Sequence, residues 1–495
     1  MSMHIEQIER EDIVAYLNAG LAATAQAEFY QSKWHQESSI EFLHRYIAVN
    51  YRELYADTLA LPLNDFNRAL TLKTLLLSGA PRDPRRARHE GKLIAHAIRQ
   101  LPAHRAYNLL EECARLGRSN RRLRATVKRF VLEQKNLPLH VLKYRKQLRR
   151  IVRHFHVKLD EESQSVLFAL SKRKKAYETE LYEKFRQAHY SREAIFELPY
   201  TVAEGLIARH RIKRKDFLEK IAQKMTRREQ ERMQRTFERH DLQLDRASAN
   251  MELTRQLSMI LGMKRDEIVA SLPEIEANLD AAARRAAREW PTHASRIQVI
   301  LDVSFSTKSS RERSMRPLAV ALSTLYVARA IAGEEGEVEV FWTDPLLGAR
   351  SEPAHPLLVR PRGPTDLARP LLDALKQKEA DLLLICSDGF ENSPAGGFEA
   401  VWDVWKERIE PTLIRDGKRR KALSAVHINP VFDAEGFVPR RLAKSVPTVC
   451  VHHGSDIAFA LVVARFDAGE LDFEALTHLI SSYALQVSNV DMSLS

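Results

Sequence analysis

The hydrophobic period of this chain changes near residue 295, and no single fold class satisfies both sides of the change. Before it, apolar residues recur at three- and four-residue spacing with short breaks, as in helices that bury one face. Ile40, Phe42, Leu43, Tyr46 and Ile47 show the pattern, as do Phe66, Leu70, Leu72, Leu75, Leu76 and Leu77. Helices are expected near 90–99, 102–116, 120–134 and 139–155, with stops at Leu101-Pro102, Leu137-Pro138 and Leu198-Pro199. Elements of about 20 residues joined by short turns predict an all-α helical-repeat part over 1–290, a HEAT-like solenoid. A plain helical bundle would have the same period. Glycine, only 17 of 495 residues, agrees with a largely helical chain.

After residue 295 short apolar runs alternate with helical ones. Strands are expected at 296–302, 337–342, 380–386, 421–428 and 448–452. Helices are expected at 316–332, 367–376, 398–409 and 473–485, the first of them amphipathic. This predicts an α/β, doubly wound and mainly parallel sheet over 295–495. Ligands of such sheets sit beyond the carboxyl ends of the strands.

Charge is concentrated. The chain is formally +12, but residues 81–158 alone carry 22 basic and five acidic side chains, a net of +17. Clustered arginine and lysine attract phosphates and release condensed counterions on binding, so RNA is the expected partner. Arg82, Arg85, Arg86 and Arg88 read as a loop between helices, and Arg118 extends the patch. Arg121, Arg124 and Lys128 recur at helical spacing. Arg145, Arg149 and Arg153 line one ridge with Lys146 and Arg150 beside it. Acidic neighbours are not evident. Tyr107, Tyr144 and His154 are in range to stack on unpaired bases, though each also fits a structural position. The same charges fit a face that docks an acidic protein, or a merely solvated one.

Three loops of the second part carry oxygen donors. Asp302-Val303-Ser304-Phe305-Ser306 closes the first strand, Thr365 precedes a helix, and Asp388 follows the third strand. Two carboxylates and three hydroxyls suit a hard divalent cation such as Mg2+. These loops resemble the metal-ion-dependent adhesion site of the von Willebrand factor A domain, a Rossmann-like fold. The resemblance covers roughly residues 295–485 and implies that Asp302, Ser304, Ser306, Thr365 and Asp388 hold the ion, directly or through water. It implies an open coordination position for an acidic ligand. Phe305 departs from the small residue usual between the two serines.

A helical-repeat half followed by such a domain resembles the Ro (TROVE-module) RNA-binding proteins in architecture. That likeness implies a cytoplasmic ribonucleoprotein scaffold binding structured or single-stranded RNA. The alternative is an A-domain adaptor that captures an AAA+ ATPase of the MoxR type through its metal. No phosphate-binding glycine loop and no nucleophile with its base is found, so catalysis is not expected. His452-His453 and His154-Phe155-His156 lack further ligands for zinc. Cys386 and Cys450 lie in apolar strands as inert core, and three cysteines in all exclude a disulfide scaffold. The longest uncharged apolar stretch, Ile457 to Ala464, is too short for a membrane span, and the first ten residues do not read as a signal peptide.

Overall fold

The computed structural model describes residues 2–24, 33–169, 176–226, 229–230, 233, 236–237, 240, 251–288, 290, 292, 294–308, 315–348, 355–377, 379–432 and 439–493. Among the described residues, and short turns aside, the first part is helical. It runs through α1 (Ser2–Ala22), α2 (Lys33–Asn50), α3 (Arg52–Asp57), α4 (Asp65–Ser78), α5 (Pro84–Gln100), α6 (Ala103–Arg115), α7 (Arg121–Leu132) and α8 (Leu137–Lys143). It continues with α9 (Arg145–Phe155), α10 (Glu161–Phe168), α11 (Glu180–Gln187), α12 (Tyr200–Glu204), α13 (Arg214–Ile221), α14 (Leu253–Ile260), α15 (Arg265–Ala270) and α16 (Leu272–Arg288). The helix expected over 139–155 is two, because the backbone leaves helical geometry at Tyr144, with φ −110° and ψ 28°.

The second part alternates. β1 (Arg296–Leu301), α17 (Arg316–Ala332), β2 (Glu337–Trp342), α18 (Ala368–Leu375), β3 (Leu382–Cys386) and α19 (Gly397–Val404) come first. A π turn, Trp405–Ile409, carries the chain into α20 (Glu410–Arg415). β4 (Ser424–Asn429), β5 (Thr448–Cys450), α21 (Ile457–Asp467) and α22 (Phe473–Ser493) follow. The strands form one parallel sheet in the order β2-β1-β3-β4-β5. One face is closed by α18 and α19, whose Leu371, Phe398 and Trp402 pack against Ile300, Leu383 and Ile385.

The chain divides into two compact units: Met1–Thr71 with Ser248–Ser495, and Leu72–Ala247. The sheet therefore shares its unit with the N-terminal helices and with α14–α16. The cause is visible in α17, which was expected to be amphipathic. Every residue from Pro317 to Ala328 is buried, and a helix that is apolar all round needs cover on both sides. The sheet covers one side, α14 and α16 the other. Thr254 of α14 and Ser323 of α17 bring their hydroxyls to 2.8 Å. Gly454 donates its N–H to Glu252 at 2.9 Å and to the Thr254 hydroxyl at 2.7 Å. A Cβ at Gly454 would stand 3.0 Å from Leu253 and 3.1 Å from Ser323, so the approach depends on glycine. The apolar run Ile457–Ala464 is helix α21, buried in the same way beneath α1.

α1 also covers the sheet edge. Asn18 is fully buried; its amide accepts from the N–H of Cys450 at 2.7 Å and donates to the carbonyl of Thr448 at 3.4 Å. An unpaired edge strand is a template for aggregation, and here one side chain satisfies it. Asn18→Ala leaves the Cys450 N–H buried without its acceptor. The variant is expected to lose ~1–3 kcal/mol of stability, read as a lower urea midpoint at unchanged slope; an unchanged midpoint would show that the contact contributes nothing.

Candidate functional site

The sheet order reverses between β1 and β3, the switch point at which parallel sheets open a crevice. Leu301 lies opposite Cys386 in register, so the next residues of both strands, Asp302 and Ser387, leave the sheet side by side. Asp302 continues the pairing by donating its N–H to Cys386 at 2.9 Å. Its carboxylate is buried and accepts from the Ser304 N–H at 2.8 Å and the Ser387 hydroxyl at 2.9 Å. Ser304 and Ser306 bring their hydroxyls to 3.0 Å of each other. Phe305 between them points outward, 68% exposed, so its size does not crowd the loop.

The second loop is tied to the first. Phe305 donates its N–H to the carbonyl of Gly363 at 3.1 Å, and Arg362 donates to Val303 at 2.8 Å. Thr365 is buried; its N–H donates to the Asn392 side chain at 3.0 Å, and its carbonyl accepts from Asn392 at 3.2 Å and Ser393 at 3.1 Å. That joins it to the third loop, where the Asp388 carboxylate accepts from the Phe390 N–H at 3.0 Å. The three loops thus stand on adjacent elements, held mainly by backbone bonds.

Burial pushes the Asp302 carboxyl above its ordinary range, and the charge of Asp388 pushes it further. Among the described residues neither aspartate pairs with a lysine, arginine or histidine. Two buried carboxylates with adjoining hydroxyls and no cation of the chain suit a divalent metal. Among the described residues no group of three or more His, Cys, Asp or Glu forms a metal cluster. His453 instead faces Glu252 at 3.2 Å.

The basic residues of 81–158 lie in the Leu72–Ala247 unit. Asp83 caps α5, accepting from the Arg85 N–H at 2.9 Å with Pro84 at the first helical position. Arg85, Arg86 and Arg88 therefore sit in the opening turns of a helix rather than in a loop. Cations there oppose the helix dipole, and Asp83 offsets part of their charge. Asn120 caps α7, accepting from the Leu123 N–H at 2.9 Å. The cap directs Arg121, Arg124 and Lys128 to solvent and buries Leu123, Val127, Phe130 and Val131.

α6 and α9 pack together, and an open concavity of about 640 Å³ lies beside them. Arg115, Lys146, Arg149, Arg150, Arg153 and His154 line it. Two expectations need correction. Acidic neighbours do exist: Arg150 reaches Glu111 at 2.8 Å, Arg115 reaches it at 3.7 Å, and Arg86 reaches Asp83 at 3.6 Å. One carboxylate, Glu111, serves two arginines, so the concavity stays cationic. The ridge is also not uniformly free. Arg149 donates to the carbonyl of Leu167, and Arg153 lies 4.9 Å over the ring of Phe168. Arg145 is half-buried, its guanidinium pushed down by desolvation and then by Arg149.

Among the described residues Arg82, Arg85, Arg88, Arg118, Arg121, Arg124, Lys128, Arg145 and Lys146 form no ion pair. His154 bonds the carbonyl of Arg118 at 3.2 Å, which brings Arg118 to the concavity. Tyr107 and Tyr144 are core, with Tyr107 facing His140 at 3.0 Å, so neither stacks on a base. Arg115 was missed; its place one turn after Glu111 at the end of α6 was the available signal.

No family model matches the chain, and no curated protein matches it. Among solved structures it is similar to the crystal structure of the Ro (RSR) protein of Deinococcus radiodurans. That likeness has a TM-score of 0.45 and 16% identity, and covers 93% of this chain and 100% of that one.

The basic unit also holds a buried ion pair. Arg122 of α7 bonds Glu90 of α5, and the two side chains are 11% and 5% exposed. Arg122 also donates to the carbonyl of Ala87 at 2.9 Å. Glu90→Gln removes the charge partner of a buried guanidinium and is expected to cost ~3–5 kcal/mol. Replacing both residues by leucine is expected to cost much less. Denaturant unfolding of the two variants reads the difference, and equal losses would show that charge pairing is not what joins these helices.

Proposed function

We propose that this chain is a non-enzymatic, cytoplasmic RNA-binding scaffold. Its HEAT-like helical unit binds structured or single-stranded RNA through the basic residues of 81–158. Its sheet unit, a von Willebrand factor A-like domain, binds a divalent cation, Mg2+, and an acidic ligand. The observation that carries the RNA reading is the concavity of Arg115, Lys146, Arg149, Arg150 and Arg153 around a single carboxylate. A surface with more cations than counter-charges repels itself, and a polyanion relieves that repulsion while releasing its own counterions. Arginine's planar fork suits phosphate oxygens, and Arg153 over Phe168 keeps its donors at the rim of an apolar ring.

The metal would rest on Asp302, Ser304, Ser306, Thr365 and Asp388, neutralising the two aspartates and offering a free position to a carboxylate. The hydrogen bonds that already hold Asp302 and Asp388 fix these donors before any ion arrives. The alternative, an adaptor capturing an AAA+ ATPase of the MoxR type, would use this metal site alone. It leaves the unpaired arginines of 81–158 without a role.

Lys146→Glu combined with Arg153→Glu is expected to weaken binding of a single-stranded RNA. The slope of log affinity against log salt should fall by about one or more, as each lost phosphate contact on a single strand removes ~0.7. Fluorescence anisotropy at several salt concentrations measures it, and an unchanged slope refutes the assignment. Saturating Mg2+ is expected to raise the melting temperature of the protein but not of Asp388→Ala, as a ligand of the native state alone must do. Equal shifts in both would place the ion elsewhere.

A further inference from the structure

Helices α5 and α7 contact each other, yet an unfilled slot of about 480 Å³ lies between them. Its walls are Ala87, Gly91 and Ala95 of α5 and Ala125 and Thr126 of α7, with Phe130 deeper in. A Cβ placed on Gly91 would meet nothing within 4 Å. Small side chains normally let two helices close, because an empty apolar volume forfeits dispersion contacts and costs stability. Here charged side chains bridge the two helices beside the open volume. Arg122 spans from α7 to Glu90 and to the Ala87 carbonyl. Glu133, just past the end of α7, accepts from Arg129 at 2.9 Å and stands 4.0 Å from Arg99 of α5. The opening has the size of a small-molecule site.

Its mouth is charged. Arg88 and Arg121 also line the slot, and both are exposed. Among the described residues neither pairs with a carboxylate. Lys128, two turns after Arg121, shares that edge of α7. Arg99 and Arg129 both reach Glu133 at the far end of the slot. An occupant must therefore combine an apolar body that enters between Ala and Gly walls with negative charge that stays at the lip. A nucleotide does this: the base is insertable, and the phosphates on either side of it remain outside. A duplex does not, because its bases are paired and stacked.

We infer that the α5–α7 slot receives one unpaired nucleobase of a bound RNA, with the flanking phosphates on Arg88 and Arg121. This rests on the RNA reading above and adds to it a preference for single-stranded segments, with a subsite that senses the base itself.

The test uses the full chain and two probes of equal length and charge: a single-stranded oligoadenylate, and the same strand with its bases removed. The protein is expected to bind the base-bearing strand roughly tenfold more tightly, the scale of one inserted base. Gly91→Leu fills the slot and is expected to bring the two strands to equal affinity, with binding of the abasic strand unchanged. It should melt no lower than the parent, since leucine is the better helix former. Ala125→Leu fills the slot from the opposite wall and is expected to act alike. If the parent distinguishes the strands and both variants still do, the slot is not the subsite and the inference falls. If the parent binds both strands equally, RNA binding stands and the inference falls. If it binds neither strand, the RNA reading itself falls and takes the inference with it.

Discussion

The parallel pairing of β1 with β3 is the contact on which the sheet unit depends. It sets Leu301 opposite Cys386 and so releases Asp302 and Ser387 from the sheet together. Were β1 and β3 not adjacent, the two aspartate loops would end on strands that are not neighbours. The pairing also creates the reversal in strand order, and the loops beyond it are free of crossover chain. The backbone bonds from Phe305 to Gly363 and from Thr365 to Asn392 and Ser393 then bring in the hydroxyl loop. Side-chain chemistry at this point is a consequence of strand register.

The basic unit obeys a different constraint. Its helices bury ordinary aliphatic faces, but its arginines are more numerous than its carboxylates can neutralise. Three of its acids sit at junctions: Glu90 and Glu133 between α5 and α7, Glu111 between α6 and α9. Each holds one helix to another rather than neutralising the surface. What remains is a frame braced by acids and faced with cations.

Much of this was legible from the chain alone. The change of period near residue 295 correctly separated helical from alternating structure, and the five strands fall within a few residues of their expected bounds. The basic helices were found because their apolar residues recur at helical spacing and prolines mark the breaks between them. The break at Tyr144 was not, since nothing in Leu142-Lys143-Tyr144-Arg145 disfavours a helix locally. Placing Arg85, Arg86 and Arg88 in a loop overlooked Asp83-Pro84, a capping residue followed by proline at the first helical position. Expecting α17 to be amphipathic failed for a deeper reason. Its sequence is apolar all round, and which helices would cover its outer face depends on segments far away in the chain, such as Glu252-Leu253-Thr254 and Gly454.

The sequence by itself determined local geometry and inventory: where helices run, where strands alternate, which loop carries Asp-x-Ser-x-Ser, and that the positive charge is confined to one stretch. Periodicity and composition are local properties, so they can be read without the fold. Only the tertiary structure decided which carboxylate meets which arginine, that Tyr107 and Tyr144 are core, that Asn18 closes the edge of a strand more than four hundred residues later, and that α5 and α7 leave an open slot between them. Those outcomes depend on contacts between residues distant in sequence, whose energies appear only once the backbone has placed them side by side.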